Sequence, residues 1–146
     1  MITLEILLLV LLAYLTGAFP SAVWVGKTFY NTDVREYGSG NAGATNTFRV
    51  LGIRAGIPVL FMDILKGSLA VYYIYLIPDL SSFSLELVFE HKLAFGIAAV
   101  IGHLFPIYTG FRGGKGIATM LGILIALHPL AALFSFCVFI FVFFIS

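Results

Sequence analysis

Ile6-Leu7-Leu8-Leu9-Val10-Leu11-Leu12-Ala13-Tyr14-Leu15, continued by Thr16-Gly17-Ala18-Phe19-Pro20, decides the fold class. The run holds no charged side chain, and the apolar stretch it belongs to extends from about Ile2 to Val25. At about 1.5 Å per helical residue this crosses a hydrocarbon core of roughly 30 Å. Pro20 removes a backbone donor, so it predicts a kink or an early stop. Glu5, with no Lys or Arg before it, precedes the run. A cleaved secretory signal carries a positive start, so this is read as a retained first span.

The same solvent suits the rest of the chain. Of 146 residues, 61% are hydrophobic and 10% charged, with a mean hydropathy of +1.09. Soluble domains carry about 25% charged residues, so most of this chain cannot face water. A second apolar stretch is predicted from Gly56 to Ile77 and a third from Leu93 to Tyr108, with Pro78–Lys92 as a short acidic connection. From Ile117 the chain is apolar to Ser146, broken at His128-Pro129, as one span or as a span and part of another. The expectation is a single integral-membrane domain over residues 1–146, an all-α polytopic transmembrane helix bundle of four to five spans. The sequence stops within the apolar run Phe139–Ile145, which suggests truncation at the C-terminus.

Lys and Arg in short loops set orientation. Lys27–Arg54 holds Lys27, Arg35, Arg49 and Arg54, and Thr109–Gly116 holds Arg112 and Lys115. Pro78–Lys92 holds only Lys92, beside Asp79, Glu86 and Glu90. The N-terminus is therefore expected outside and both basic loops cytoplasmic. A net charge of +1 without basic runs gives no reason to expect nucleic acid as a partner. The single cysteine, Cys137, excludes a disulfide or a CxxC site within this chain, and is read as a small buried apolar residue. Nothing in the residues sets an oligomeric state.

Chemistry concentrates in the two basic loops. Gly38-Ser39-Gly40-Asn41-Ala42-Gly43-Ala44-Thr45-Asn46-Thr47-Phe48-Arg49 combines glycines, hydroxyls and amides. Glycines let backbone approach a ligand closely, and successive N–H groups form anion-binding concavities. Ser39, Asn41, Thr45 and Asn46 add donors, and Arg49 a planar fork suited to phosphate. The plainer alternative is a flexible, solvated turn. Gly110-Phe111-Arg112-Gly113-Gly114-Lys115-Gly116 leads into an apolar helix, placing donors and a cation at a helix N-terminus. It is not a nucleotide-binding P-loop, because Thr109 stands where the first glycine belongs and Gly116 where Ser or Thr belongs. Its plainer alternative is a membrane anchor rich in glycine.

His103, at the end of a span, suits acid/base work or phosphate binding, and equally a structural hydrogen bond. Asp63 and Lys66 lie three apart on one helix face and pair, either as structure or as a substrate contact. His91 and His128 receive no function. A transporter of a phosphorylated solute would place its polar residues at the bilayer midplane rather than at its edge. A purely structural membrane subunit leaves both glycine loops without a purpose.

Ser39-Gly40-Asn41-Ala42-Gly43-Ala44-Thr45-Asn46 with Arg49 resembles the first signature of the bacterial acyl-phosphate-dependent glycerol-3-phosphate acyltransferases, the PlsY family. Gly102-His103-Leu104-Phe105-Pro106 and Phe111-Arg112-Gly113-Gly114-Lys115-Gly116-Ile117-Ala118-Thr119 resemble the second. Gly17-Ala18-Phe19-Pro20-Ser21 and Asp63-Ile64-Leu65-Lys66-Gly67 match as well. The resemblance covers Gly17 to about Gly122.

It implies transfer of a fatty acyl group from acyl phosphate to the 1-hydroxyl of glycerol 3-phosphate, giving lysophosphatidic acid and phosphate in a bacterial plasma membrane. Ser39, Arg49 and Lys115 are then the expected catalytic residues. Gly40, Asn41, Thr45, Asn46, His103, Arg112, Gly113, Gly114 and Gly116 are expected to bind substrate. Arg112 stands where most members have lysine, which keeps the charge. Acyl phosphate is already activated, so no metal, cofactor or catalytic triad is demanded; two anion sites and alignment suffice. Family members carry a third signature, with His, Asn and Glu, and further spans; neither occurs before Ser146.

Overall fold

The computed structural model describes residues 4–145; the extreme N-terminus, including Ile2, and Ser146 lie outside the described residues. The chain forms α1 (Leu4–Gly17), α2 (Ser21–Tyr30), α3 (Ala44–Leu51), α4 (Ile53–Tyr72), α5 (Leu85–Leu104), α6 (Ile117–Leu127) and α7 (Pro129–Ile145), with no strand among the described residues.

The first stretch breaks where Pro20 demands it. α1 stops at Gly17, α2 restarts at Ser21, and the two axes bend by 41°. Proline disfavours the helical conformation for the residue before it, and here the Phe19 carbonyl lies outside the helical ladder. It is taken up by the Ser21 N–H at 3.0 Å and by Lys66 Nζ at 2.9 Å.

Two regions extend beyond their expected limits. The acidic stretch from Leu85 to Lys92 is the start of α5, not part of a connection. Ser84 caps it by accepting the Leu87 N–H at 3.2 Å, and Glu86 sits in the first turn, where a negative charge suits the helix dipole. The Lys27–Arg54 segment holds the last turn of α2 and all of α3.

Among the described residues, fewer helices than the four to five expected spans are long enough to cross a membrane singly. By length and composition α4 with its following turn (Ile53–Leu76) and Leu85–Thr109 can each cross a membrane, and the bent α1–α2 pair is a third candidate. His128-Pro129 divides the remaining apolar run, leaving α6 with 11 residues. That is about 16 Å of helix, short of a roughly 30 Å core.

Many large apolar side chains face outward, and a set of polar ones is buried beside an apolar core. Leu4, Leu7, Leu8, Leu11, Ile57, Phe61 and Ile97 are exposed, whereas Ser21, Asn46, Thr47, Asp63, Lys66, His103 and Thr119 are buried. Cys137, expected in the interior, is exposed on α7.

Where lipid surrounds the protein, helices associate through close packing rather than hydrophobic burial, and small residues make that possible. α4 and α6 run antiparallel with backbones touching: a side chain on Gly122 would collide with the Ile64 carbonyl, and one on Gly67 with the Thr119 carbonyl. Ser68 Oγ closes this seam by donating to the Gly122 carbonyl at 2.8 Å. α1 meets α5 the same way, Gly17 against Ala99 and Gly102 against Tyr14.

These crossings set the two ends of the bundle. The end of α5, the start of α6 and the start of α4 share one face with α3. Lys92 beside Tyr75, and Phe89 beside His128, mark the other.

Candidate active site

Both glycine-rich loops lie on the α3 face, and they touch. The Ala42 N–H donates to the Gly113 carbonyl at 3.3 Å, and the Cα of Gly114 lies beside Gly43. A second link is made by Arg35, whose Nη1 donates to the Thr109 carbonyl at 3.0 Å.

The first loop is built from α2 onward. Asn31 ends α2 in the left-handed region, and the Thr32 N–H returns to the Gly26 carbonyl at 3.0 Å. Asp33 then caps a short turn, Val34–Glu36, and binds Arg35 through three contacts of 2.7 to 3.1 Å. The hydrogen bond from the Arg35 side chain holds the Asp33 carboxyl well below the usual carboxylate range, against the opposing effect of burial. Arg35 rises reciprocally, through its bond to Asp33. Lys27 adds an ion pair at 3.2 Å, but more than half its side chain is exposed, so it adds little.

Asn46 organises the remainder of this loop. Its Oδ1 accepts the Ser39 N–H at 2.9 Å, while its Nδ2 donates to the carbonyls of Val34 at 2.7 Å and Tyr37 at 3.1 Å. With 1% of its surface exposed, Asn46 spends its amide inside the loop. Gly38 and Gly40 take positive φ to let the chain pass, and the Arg49 stem packs beside Gly38. Ser39, Gly40, Thr45 and Arg49 are left exposed, with Asn41 half-buried and its Nδ2 at 3.3 Å from Ser39 Oγ.

The second loop folds back on the helix that delivers it. The Gly114 N–H donates to the His103 carbonyl at 3.2 Å. A side chain on Gly113 would collide with the His103 and Leu104 carbonyls, and one on Gly114 with the His103 ring. Only glycine permits this contact. Gly116 starts α6 from a positive φ, leaving the first-turn N–H groups of α6 next to Gly113–Lys115. Arg112 and Lys115 are exposed, and neither their side chains nor that of Arg49 has an ion pair or hydrogen bond among the described residues. Arg49, Arg112 and Lys115, all exposed, thus belong to two glycine-rich segments that the Ala42–Gly113 contact joins.

Behind the loops lies a polar cluster of which the sequence indicates only the Asp63–Lys66 pair. Asp63 Oδ1 accepts Ser21 Oγ at 2.8 Å and pairs with Lys66 Nζ at 2.9 Å, with His103 Nδ1 at 3.6 Å. Beside it, a groove of about 510 Å3 opens between α1 and α4, lined by Leu12, Leu15, Phe19, Met62, Leu65 and Leu69, with Lys66 and Tyr108 at its edge. Among the described residues no cluster of His, Cys, Asp and Glu could hold a metal ion.

A family-wide sequence profile described as "Glycerol-3-phosphate acyltransferase" matches residues 7–146. This chain belongs to the glycerol-3-phosphate acyltransferase family. A member from Enterococcus faecalis is 51% identical over 137 residues, which cover 94% of this chain and 59% of that protein. One from Listeria monocytogenes is 49% identical over 140 residues, covering 94% and 67%. The chain therefore spans about three-fifths to two-thirds of the length of these acyltransferases. The crystal structure of the integral membrane acyltransferase PlsY in its glycerol 3-phosphate form superposes with a TM-score of 0.77 at 38% identity, over 95% of this chain and 66% of that one. Its lysophosphatidic acid form gives 0.76 at 37% identity. This chain thus shares its fold with an integral membrane acyltransferase.

Proposed function

We propose that this protein transfers an acyl group from acyl phosphate to the 1-hydroxyl of glycerol 3-phosphate, with both glycine loops at the cytoplasmic side of a bacterial plasma membrane. The observation that carries the reading is the Ala42–Gly113 contact, which joins the two glycine-rich loops that we read as anion cradles. The orientation rests on charge: Lys27, Arg35, Arg49, Arg54, Arg112 and Lys115, six of the eight Lys and Arg residues, belong to the loop face.

The reaction needs its two phosphate groups held at neighbouring points. One cradle, Gly113–Gly116 with Lys115 and Arg112, takes the phosphate of glycerol 3-phosphate. The other, the Gly38–Gly43 backbone with Ser39, Thr45 and Arg49, takes the phosphate of the donor. The new ester bond forms between the 1-hydroxyl oxygen and the acyl carbon as that carbon's bond to the phosphate oxygen breaks, and the hydroxyl proton passes to the departing phosphate. Arg49 and the loop N–H groups stabilise the charge gathering on the departing phosphate. A mixed anhydride requires no protein nucleophile, and holding both reactants in register supplies most of what remains. The acyl tail lies in the apolar groove between α1 and α4.

Membranes carrying the protein, supplied with acyl phosphate and labelled glycerol 3-phosphate, test this directly. Label recovered in lysophosphatidic acid supports the reading. Label taken up into vesicles without esterification replaces it with transport.

A further inference from the structure

Asp63 sits where three helices meet, and its partners converge on one oxygen. Ser21 Oγ on α2, Lys66 Nζ on α4 and His103 Nδ1 on α5 all face Asp63 Oδ1, at 2.8, 2.9 and 3.6 Å. Asp63 is 1% exposed, Lys66 6% and His103 5%, so the cluster is largely shielded from water. Buried charges are retained only when paired and hydrogen-bonded, and this pair meets both conditions.

The cluster connects two features of the fold. Lys66 Nζ also donates to the Phe19 carbonyl at 2.9 Å, holding the chain at the break before Pro20. On the opposite side the His103 ring has its Nε2 edge against the backbone of Gly114. Among the described residues its Nδ1 finds no hydrogen-bond partner, so the ring is held by packing between Asp63 and Gly114. His103 is a spacer between a buried carboxylate and the floor of the second glycine loop.

We infer that Asp63 is a positioning residue for the glycerol 3-phosphate site, acting through His103 on the Gly113–Gly114 backbone. This rests on the acyltransferase reading and assigns no substrate contact to Asp63 or Lys66. Asp63 and Lys66 fix where the ring stands; the ring fixes how deep Gly114 lies; Gly114 sets the N–H groups that meet phosphate. A displaced loop weakens binding of one substrate and leaves the other cradle intact.

The test is a double-mutant cycle on the full chain in membranes, reading KM for each substrate and kcat. Asp63→Asn and His103→Gln are each expected to raise the KM for glycerol 3-phosphate about five- to tenfold, with the KM for acyl phosphate changed less than about twofold. Combined, they are expected to do no more than the larger single change, because both act on the same contact. Since Asp63→Asn leaves Lys66 without its counter-charge and endangers folding, Ser21→Ala provides the mild variant. It removes one hydrogen bond to Asp63 and leaves every charge in place. It is expected to raise the same KM about twofold, and to have no effect once His103 is Gln.

Effects that multiply in the cycle overturn the inference, as does a fall in kcat with both KM values unmoved. A fall in the amount of folded enzyme with unchanged KM makes the cluster merely structural and also overturns it. A native protein that makes no lysophosphatidic acid under these conditions removes the acyltransferase reading itself.

Discussion

The backbone of Ala42 is hydrogen-bonded to that of Gly113 at 3.3 Å, across 71 positions of sequence. Backbone contact this close leaves no room for side chains where the loops meet. A Cβ on Gly114 would collide with His103 and stand 3.0 Å from the Ala42 carbonyl.

Gly114→Ala is therefore expected to push the loops apart. The KM for glycerol 3-phosphate should rise by about tenfold or more, the scale on which about 1.4 kcal/mol of binding energy is lost. Gly110→Ala is the control. Gly110 has open space around it but a positive φ, so it tests strain without collision. It is expected to lower stability by on the order of 1 kcal/mol with a smaller change in KM.

Ser39→Ala and Arg49→Ala are expected to abolish lysophosphatidic acid formation. Both side chains are exposed on the first glycine loop, and among the described residues the Arg49 guanidinium has no hydrogen bond or ion pair whose loss would disturb the fold. Arg49→Lys should recover only part of the activity, since an ammonium cannot reproduce a bidentate fork. Initial rates in membranes decide this, and unchanged turnover in Ser39→Ala and Arg49→Ala would move the reaction elsewhere.

Asp33 gives a dependence on pH with a defined sign. Its carboxyl is held below the ordinary carboxylate value of about 3.9 by the Arg35 hydrogen bond. A depressed acid contributes stability that is present above its unfolded pKa and lost as pH falls through its folded one. The native protein should thus exceed Asp33→Asn in stability by a constant margin from pH 8 to about pH 4, and the margin should shrink below that. It is on the order of 1 kcal/mol, since solvent still screens the pair. Thermal unfolding in detergent as a function of pH measures it. A margin that grows on acidification would contradict the assigned pair.

Gly122→Ala tests the α4–α6 seam. The added methyl would collide with the Ile64 carbonyl and force the helices apart, breaking the Ser68–Gly122 hydrogen bond. Overpacking of this kind costs about 1–3 kcal/mol. The measurement is the midpoint of thermal unfolding. A variant as stable as the native protein would mean that the seam is looser than described.

Much of this is legible along the chain because it depends on neighbours in sequence. Pro20 predicts its break from the sequence, since a missing N–H is a local fact, although Pro58 is carried inside α4 without a break. The Asp63–Lys66 pair follows from a spacing of three on one helix. Boundaries are less legible where charge and helix coincide: Glu86, Glu90 and Lys92 read as a connection, yet Ser84 caps a helix that carries them. Asn46 reads as a ligand donor by residue type; in the fold its amide is already satisfied by Ser39, Val34 and Tyr37.

Composition and short-range spacing are enough to read three things: the bilayer is the solvent, the long apolar runs are helical, and cations, hydroxyls and amides gather in two glycine-rich loops. Each is a property of residues close together in the chain. Folding in three dimensions was needed to bring Ala42 to Gly113, Arg35 to Thr109, and Ser21 and His103 to Asp63 behind the loops. Those contacts depend on how α1, α4, α5 and α6 cross. The crossings are set by close approach at Gly17, Gly67, Gly102 and Gly122, which no pattern within one helix reveals.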